Sequence, residues 1–334
     1  MRILTYVEKE CLNAGPKAPK DIISILKEQY NVKSIEITKS NVENKFYINK
    51  ERCRKIYKII ENSFGNDVTI IQHPFLNMKN VIKIMKKSVT FIHDLDSLRY
   101  KKNNSREIET LKNYKVIISH NKKMTEYLRE KGLKNKIYEL ELFDYLCENI
   151  NVKNKFEKEN KLEVIYAGNL IKEKSPFIYQ IDNEKINYKI NLYGNGIERD
   201  ISNNIKYIGA FCPEELPNKI QGNLGLVWDG NYDESDENEG FKNYTKYNNP
   251  HKLSCYIAAG IPVIVWRKSA IADLVDKYNI GYKISNIYDI NKLDLSDYDE
   301  KLKNVQELSQ KVRQGYFTKR VVNEILADIE KTQK

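Results

Sequence analysis

The sequence predicts an α/β protein built from two doubly wound domains in tandem. Short apolar runs rich in β-branched residues alternate with amphipathic stretches in both halves of the chain. Such alternation is typical of βαβ units around a parallel sheet. Between the halves, the polar and Asn-rich segment 148–160 indicates a linker. A length of 334 residues also suits two domains better than one.

The first half predicts an N-terminal domain over residues 1–150. Its strand candidates are 2–7, 34–39, 68–72, 89–93, 115–120 and 136–142. The segments between them carry apolar residues at three- and four-residue spacing, which predicts helices. These segments are PKDIISILKEQY, NKERCRKIYKIIENSF, PFLNMKNVIKIMKK, SREIETLKNY and NKKMTEYLREKG.

The alternation restarts after the linker and predicts a second domain over residues 151–316. Its strand candidates are 161–169, 190–196, 204–211, 224–230, 261–266 and 280–284. The last part of the chain is a long helical stretch with an interruption near Gly315 and Tyr316.

The chain is basic, with a net charge of +10 and a pI of about 9.0. This balance favours acidic partners such as phosphates, nucleic acid or an anionic membrane surface. A generally Lys-rich and Asn-rich composition explains the same charge without any such partner.

Cysteine usage predicts a reducing compartment. The five cysteines are scattered, odd in number and without a CxxC pair, which argues against a disulfide framework or a zinc site. The N-terminal stretch MRILTYVEKE lacks the apolar core of a signal peptide, and no apolar run could span a bilayer. We therefore expect a soluble cytoplasmic protein without a transmembrane segment.

Polar residues directly after the apolar runs are the first site candidates, because ligands of open parallel sheets bind beyond the carboxyl ends of the strands. The four histidines of the chain, His73, His93, His120 and His251, all lie at such places. A polar residue that merely ends a strand explains any single one of them. We give this structural interpretation to His120, with Asn121 as the N-cap of the next helix.

The stretch FIHDLDSLR places His93 beside Asp94. An imidazole next to a carboxylate can act as a general base or can orient one. In the alternative interpretation, Asp94 caps the following helix.

Two turns of the second half favour a phosphate ligand. YAGNLIKEK carries Gly168, Asn169 and Lys172 at a strand end, and LYGNG carries Gly194 and Asn195 at the next. Glycine lets the backbone approach a ligand, and lysine neutralises phosphate. Neither turn matches a Walker loop or a dinucleotide fingerprint, which disfavours phosphate-loop NTPases and NAD-dependent oxidoreductases.

The stretch YNNPHKLSCYIAAGIPVIVW, residues 247–266, predicts a helix that opens at a ligand and leads into a buried strand. Pro250 suits the first turn, so His251 and Lys252 lie at the positive end of the helix dipole. A diphosphate fits such a place, with Asn248 or Asn249 as a helix cap. By contrast, the acidic stretch DESDENEG, residues 233–240, has no EF-hand spacing and predicts a solvated loop.

With these motifs, the chain resembles the GT-B glycosyltransferases, in which two Rossmann-like domains face a cleft. The segments NAGPKAPKDI, HDLDSLR, YAGNL, YGNG, YIGAF and YNNPHKLSCYIAAGIPVIVW resemble a narrower bacterial group. Its members are glucosyltransferases that extend O-linked GlcNAc on serine-rich repeat adhesins. The group also contains enzymes described as galactofuranosyltransferases.

The resemblance implies roles for individual residues. His93 and Asp94 would supply catalytic groups on the acceptor side. The donor-side residues would be Gly15, Lys17, Gly168, Asn169, Lys172, Gly194, Asn195, Tyr207, Tyr247, Asn248, His251 and Lys252. Among these, Tyr207 would face the uracil, and Lys252 would approach the diphosphate.

The resemblance further implies transfer of a hexose, glucose in first place, from a UDP-sugar to a glycan or glycoprotein acceptor. No cofactor and no metal ion are expected, because a helix N-terminus and basic side chains can stabilise the leaving UDP. We expect inversion, with His93 or Asp94 as base. The helix 317–334 would pack back on the first domain, and a dimer or tetramer of identical chains is expected.

Other interpretations remain open at the level of sequence. They are galactofuranosyl transfer in polysaccharide synthesis, a UDP-sugar epimerase on the same fold, a nucleic-acid binder and a non-catalytic partner subunit. Nucleic-acid binding is disfavoured because the basic residues are spread over helix faces and no binding motif is present.

Overall fold

The computed structural model describes residues 1–7, 15–38, 68–74, 82–83, 85–100, 105–148, 161–198 and 204–331, and the structural statements below concern these residues. The predicted helix NKERCRKIYKIIENSF, most of PFLNMKNVIKIMKK and most of the predicted linker lie outside them. The chain divides into two compact units.

The first unit consists of Met1–Cys11, Pro19–Leu140 and Thr318–Lys334. Its strands β1 to β6 are Arg2–Val7, Lys33–Thr38, Thr69–His73, Ser88–Ile92, Val116–Ser119 and Lys136–Glu139. They form a parallel sheet in the order β2-β1-β3-β4-β5-β6.

The second unit consists of Leu12–Ala18 and Glu141–Phe317. Its strands β7 to β12 are Glu163–Ala167, Lys189–Tyr193, Ile205–Gly209, Leu224–Val227, Val263–Trp266 and Gly281–Ile284. They form a second parallel sheet in the order β12-β11-β10-β7-β8-β9.

Helices connect the strands, as the alternating pattern predicts. In the described parts of the chain, α1 to α11 are Lys17–Gln29, Asp96–Arg99, Ser105–Leu111, Lys122–Glu130, Phe177–Gln180, Leu216–Lys219, Gly240–Tyr244, His251–Ala258, Ala272–Tyr278, Tyr298–Arg313 and Tyr316–Lys331. The predicted interruption of the last helical stretch is confirmed between α10 and α11, where Gly315 has a φ of 74°. None of the helices in the described ranges is long and apolar enough to cross a membrane.

All twelve predicted strands are present, and the α/β fold class with two parallel sheets is confirmed. Five strands are buried along their whole length, namely β3, β4, β5, β10 and β11, the last with the sequence VIVW. Helices on both faces of a parallel sheet exclude water from both sides, so these strands have near-continuous apolar sequences.

We expected the boundary between the domains at residue 150, whereas the long segment of the second unit begins at Glu141. Residues 144 and 145 show why: Asp144 accepts a hydrogen bond from the backbone of Phe317 at 3.1 Å, and the backbone of Tyr145 donates to Val312 at 3.1 Å. Within the first unit, Asp328 of helix α11 accepts hydrogen bonds from Lys136 and Tyr138 of β6, each at 2.5 Å.

The strand orders locate the switch point of each sheet. In the second unit, the chain passes from β7 outward to β9 and then returns to the other side of β7 as β10. Ligands of doubly wound sheets bind at the carboxyl ends of the two strands that flank such a point. For the second unit these ends are the residues after β7 and after β10.

A glycine brings helix α8 close to β10 at this switch point. A Cβ atom on Gly225 would lie 2.4 Å from Cγ of the Tyr256 ring, so only glycine fits beneath that ring. The Tyr256 hydroxyl accepts a hydrogen bond from the backbone of Ala167 at 2.7 Å. The close approach therefore fixes α8 against both flanking strands.

We predict that Gly225→Ala lowers the free energy of unfolding by about 1–3 kcal/mol, because the added methyl group overpacks a filled core. Chemical denaturation monitored by circular dichroism measures the change. Gly168→Ala is the control, since a Cβ there meets no atom closer than 3.7 Å. Equal stability of the Gly225 variant and the unmodified protein would contradict the packing argument.

Candidate functional site

The candidate donor site lies at the switch point of the second unit. Gly168 follows β7, Asp229 follows β10, and Lys252 stands in the first turn of α8. A Cβ on Gly168 would lie 3.7 Å from Nζ of Lys252, so the β7 turn and the ammonium are neighbours.

Lys252 is held by three acceptors. Its Nζ donates to Oδ1 of Asp229 at 2.8 Å, to the backbone oxygen of Trp228 at 2.8 Å and to the hydroxyl of Tyr166 at 3.1 Å. An ammonium has three N–H donors, and each has a partner. The Lys252 side chain is only 9% exposed. The ammonium is thus a fixed, largely buried charge.

Asp229 is the counter-charge of this group, and its side chain is 10% exposed. Burial alone would raise the pKa of Asp229, but Lys252, Lys174 and Lys242 together hold it below its ordinary value. Asp229 therefore stays ionised among three lysines. Asp229 follows an apolar run in the same way as the histidines, so the rule of strand ends could have found it.

A chain of hydroxyl groups links Lys252 to the β7 turn. Ser175 donates to the backbone oxygen of Asn169 at 2.8 Å, and its oxygen lies 2.6 Å from the Tyr166 hydroxyl. Since the single Ser175 proton is used, Tyr166 donates to Ser175 and accepts from Lys252. Each hydrogen bond of this series is therefore donated in the direction from the Lys252 ammonium toward the β7 turn.

Two predicted glycine turns meet at this place. Gly194 has a φ of 136°, and a Cβ on it would lie 1.8 Å from the backbone oxygen of Gly168. The backbone of Leu170 donates to the backbone oxygen of Asn195 at 2.8 Å. The structure therefore brings Gly168, Asn169, Gly194 and Asn195 together.

Tyr207 lies against the same turn. Its hydroxyl donates to the backbone oxygen of Gly194 at 3.1 Å, and the residue is 40% exposed. An exposed aromatic ring next to two glycine turns offers a flat apolar surface for a base.

Lys172 and Lys174 take different positions in the turn after β7. Lys172 is exposed, and its backbone N–H donates to Glu198 at 3.1 Å. Lys174 instead acts electrostatically on Asp229, and its ammonium lies 5.5 Å from the ring centre of Phe241. Of the two lysines, Lys174 is the one near the buried ion pair.

The start of α8 lacks the asparagine cap that we expected. Pro250 is the N-cap and provides no side-chain acceptor. The Asn249 side chain donates to the backbone oxygen of Glu141 at 2.9 Å, and the backbone N–H of Asn248 donates to Tyr244 at 3.2 Å. Oδ1 of Asn248 is buried without a hydrogen-bond partner among the described residues. Tyr247 precedes Asn248 in the turn between α7 and α8 and donates from its backbone to Tyr244 at 3.0 Å.

His251 is a packed, neutral residue. Its ring stacks on Tyr145 at 5.0 Å and meets Phe143 edge-on at 6.0 Å. Both ring nitrogens are buried, and neither has a hydrogen-bond partner in the described parts of the chain. Burial, with a smaller effect of Lys17, lowers the pKa of His251 to about 3. The imidazole is therefore uncharged at neutral pH and brings no positive charge to a diphosphate.

Lys17 belongs to the same cluster. Its Nζ donates to the backbone oxygen of Leu146 at 2.6 Å and lies 4.8 Å from the ring centre of Tyr145. Lys17 is buried, whereas Gly15 is exposed at the start of the described part of this segment. The structure thus joins Lys17 to His251 through Tyr145.

The residues of the acidic stretch 233–240 are exposed or half-buried, as expected for a solvated loop, but Glu234 is also bound to the protein. Glu234 accepts from Trp266 at 2.9 Å and pairs with Lys268 at 2.9 Å.

The buried ammonium of Lys242 lies 3.3 Å from the ring centre of Trp228 and 4.9 Å from that of Trp266. Burial lowers the pKa of Lys242 to about 7, against the attraction of nearby carboxylates. In the described residues, no cluster of three or more acidic, His or Cys side chains is arranged for a metal ion.

The predicted catalytic pair lies in the first unit, after β4. The backbone of His93 donates to the backbone oxygen of His73 at 2.8 Å, and Nε2 lies 2.6 Å from Oε1 of Gln72. The amide nitrogen of Gln72 donates to Pro19 at 3.1 Å, which directs its oxygen toward His93. His93 therefore donates from Nε2, and the lone pair of the neutral ring is on Nδ1.

Asp94 forms an ion pair with Arg99 at 2.5 Å and does not cap the helix. The N-cap of α2 is Leu95, without a side-chain hydrogen bond. The alternative interpretation of Asp94 as a cap is therefore wrong.

Glu107, which the sequence interpretation missed, takes the place of that cap. It accepts from the backbone of Asp96 at 3.0 Å and of Ser97 at 2.9 Å, and it pairs with His73 at 3.1 Å. Burial opposes ionisation of Glu107, but the bonds from His73 and Ser97 lower its pKa. Its spacing from the buried Leu111 and Tyr114 already places Glu107 on the core side of α3.

His120 is structural, as its sequence position suggests. Its ring is buried, and Nε2 lies 3.1 Å from the backbone oxygen of Ile92. Burial lowers the pKa of His120 to about 4, so the ring is neutral. The predicted N-cap is confirmed, because the Asn121 side chain accepts from Met124 at 3.0 Å.

Comparison with known proteins identifies the family. The family model described as "Glucosyltransferase 3-like, N-terminal domain" matches residues 1–142, and "Glucosyltransferase 3-like, C-terminal domain" matches residues 164–325. The chain belongs to the glucosyltransferase 3-like family. It is therefore a glycosyltransferase that transfers a hexose, and the suspected resemblance is confirmed.

Two relatives of this glucosyltransferase 3-like chain have names that give different sugars. Beta-1,6-galactofuranosyltransferase WbbI of Escherichia coli K12 is 30% identical over 95% of this chain and 96% of its own. Glucosyltransferase 3 of Streptococcus gordonii is 26% identical over 84% of this chain and 85% of its own.

Solved structures confirm the GT-B fold for the glucosyltransferase 3-like chain. The lipopolysaccharide outer core galactosyltransferase WaaB superposes with a TM-score of 0.64 at 14% identity, over 98% of this chain and 100% of WaaB. Anabaena Alr3699/HepE, solved in complex with UDP, superposes with a TM-score of 0.59 at 12% identity, over 99% of this chain and 100% of HepE.

We predict that acid destabilises the protein through His251. Below pH 6.5 an unfolded chain protonates this imidazole, whereas the folded protein keeps it neutral down to about pH 3. The free energy of unfolding therefore falls as the pH drops through this window, by roughly 2–3 kcal/mol at pH 4.5. His251→Phe, which preserves the stacking on Tyr145, should lose less stability between pH 7 and pH 4.5 in urea denaturation. The buried His120 adds a similar loss in both proteins, so a parallel fall in both would contradict the assignment to His251.

Proposed function

We propose that this chain transfers a hexose from a UDP-sugar to a glycan or glycoprotein acceptor, with glucose as the favoured sugar. Such an acceptor is O-linked GlcNAc on a serine-rich adhesin. The glucosyltransferase 3 relatives support glucose. The higher identity to a galactofuranosyltransferase favours galactofuranosyl transfer in polysaccharide synthesis as the second candidate.

The observation that carries this proposal is the fixed ammonium of Lys252 at the switch point of the second unit. Strand-end turns at Gly168 and Gly194 and the first turn of α8 converge on the same place. Backbone N–H groups at a helix start and a nearby lysine charge stabilise a diphosphate. In the neighbour HepE, the same fold holds UDP and UDP-glucose, which supports UDP as the nucleotide.

The leaving group decides what the donor site must do. When the bond between the sugar carbon and the diphosphate oxygen breaks, UDP gains negative charge. We propose that Lys252, Lys174 and the start of α8 stabilise this charge, so that transfer needs no metal ion. Lys252 acts here through its charge, because its three N–H groups are directed to protein acceptors.

On the acceptor side, we propose that His93 or Asp94 removes the proton of the attacking hydroxyl. The oxygen then bonds to the sugar carbon as UDP leaves, with inversion of that carbon. Arg99 forms an ion pair with the carboxylate of Asp94, and this pairing favours His93 as the base. Gln72 directs Nε2–H of His93 and so leaves the basic lone pair on Nδ1.

We further propose a cytoplasmic protein that forms a dimer or tetramer. Cys212 and Cys255, which lie in the described part of the chain, are free thiols, which supports a reducing compartment. The family resemblance supports the oligomer.

We predict that UDP raises the melting temperature more than GDP or ADP does. Binding to the folded state stabilises it by about 2.7 kcal/mol when the nucleotide is at a hundredfold excess over its Kd. A thermal-shift series with the three nucleotides and their sugars measures the preference. The nucleotide assignment fails if GDP or ADP stabilises the protein and millimolar UDP does not.

We predict that His93→Ala lowers transfer to the acceptor about 100-fold to 10,000-fold while UDP affinity is kept. UDP release in the presence of acceptor and calorimetric titration of UDP measure the two properties. UDP release only when an acceptor is present also excludes an epimerase.

Asp94→Asn is the companion variant to His93→Ala, since it keeps the shape and removes the charge. Near-normal transfer by Asp94→Asn leaves His93 as the base. A loss as large as that of His93→Ala assigns the base to Asp94. If both variants are fully active, acceptor activation does not take place at this pair.

A further inference from the structure

The family resemblance assigns a role to Lys252 but none to Asp229, its partner in the buried ion pair. Both side chains are about nine-tenths buried, with 9% and 10% exposure, and their charged atoms lie 2.8 Å apart. Breaking a buried pair by removing one partner leaves an uncompensated charge, which is strongly unfavourable. The role of Asp229 therefore has to be read together with that of Lys252.

The three acceptors of Lys252 are not equivalent. The Trp228 backbone oxygen and the Tyr166 hydroxyl are neutral, whereas Asp229 carries a full charge. A neutral acceptor can orient an N–H group, but only an opposite charge offsets the cost of burying an ammonium. Asp229 is therefore the acceptor on which the charge and the position of Lys252 depend.

We propose that Asp229 is the positioning residue of Lys252 and acts on the donor nucleotide only through it. This inference rests on the proposed function, because it assigns Asp229 a part in the same donor site. Asp229 fixes the ammonium between the β7 turn and the start of α8, where the diphosphate charge develops. Without Asp229, the ammonium leaves its place, and the site loses its fixed positive charge.

The groups that surround the pair set the conditions for its test. Lys174 and Lys242 act on Asp229 from the β7 turn and from α7, and the hydroxyls of Tyr166 and Tyr256 lie on β7 and α8. Burial raises the pKa of both tyrosines well above the ordinary value. The tyrosines therefore stay neutral, and the charges at the site are those of Lys252, Lys174 and Asp229, whereas burial lowers the pKa of Lys242 to about 7.

A double-mutant cycle tests the proposal. UDP affinity is measured by isothermal titration calorimetry for the unmodified protein, Asp229→Asn, Lys252→Met and the double variant. We expect Asp229→Asn alone to weaken UDP binding at least about 10-fold, and Lys252→Met to do the same. In the Lys252→Met background, Asp229→Asn should change the affinity less than about twofold, because the residue through which it acts is gone.

A conservative variant adds a readout that a purely structural role would not change. Asp229→Glu keeps a negative charge beside Lys252 and should recover part of the UDP affinity that Asp229→Asn loses. A folded Asp229→Glu protein that binds UDP no better than Asp229→Asn would contradict a role through charge. Asp236→Asn is the matched control, since the Asp236 carboxylate accepts from Asn231 at 2.9 Å and has no bond to Lys252.

The outcomes separate cleanly. Equal losses of affinity from Asp229→Asn in both backgrounds overturn the proposal, as does an Asp229→Asn protein that binds UDP normally. If a single variant folds but is too unstable for calorimetry, urea denaturation of all four proteins replaces it. A double variant more stable than either single variant supports the pairing, and additive losses of stability overturn it. A wild-type protein that does not bind UDP refutes the proposed function, whereas wild-type binding without coupling refutes this inference alone.

Discussion

A single buried ion pair, Lys252 with Asp229, organises the candidate donor site. Its two members come from different elements, the start of α8 and the end of β10, and the hydroxyl chain of Tyr166 and Ser175 joins them to β7. Because both charges are buried, their separation is costly, so α8, β10 and β7 must keep their relative positions. The close contact of Gly225 with Tyr256 serves the same purpose from the apolar side.

The two units fix their polar groups by different means. In the second unit, opposite charges hold each other within a buried network. In the first unit, hydrogen bonds with the backbone orient the side chains. Gln72 donates to the backbone oxygen of Pro19, and Glu107 accepts from backbone N–H groups of the HDLDSLR segment. The first arrangement preserves a fixed charge, and the second preserves a defined orientation of the His93 ring. A fixed positive charge suits the leaving diphosphate and an oriented imidazole suits the attacking hydroxyl, which are the roles that we propose for the two places.

Sequence reasoning located the elements well, because parallel strands buried on both faces have unmistakable apolar sequences. It also predicted most of the residues that meet at the candidate donor site, since residues after parallel strands converge at one edge of the sheet. It could not predict burial or pairing. Only the packing of α8 on β10 shows that the charge of Lys252 is enclosed. Similarly, a mid-helix glutamate such as Glu107 gives no sign of the distant N–H groups that it caps.

The two tryptophans of the chain, Trp228 and Trp266, both lie against Lys242 in the second unit, and Trp228 precedes the carboxylate of the buried pair. Intrinsic fluorescence of this protein therefore comes from one small region beside the donor site. Indole emission responds to nearby charge, so the arrival of a charged ligand at Lys252 should alter it. If the proposed donor site binds a nucleotide, tryptophan fluorescence can therefore report that binding in real time without an attached dye.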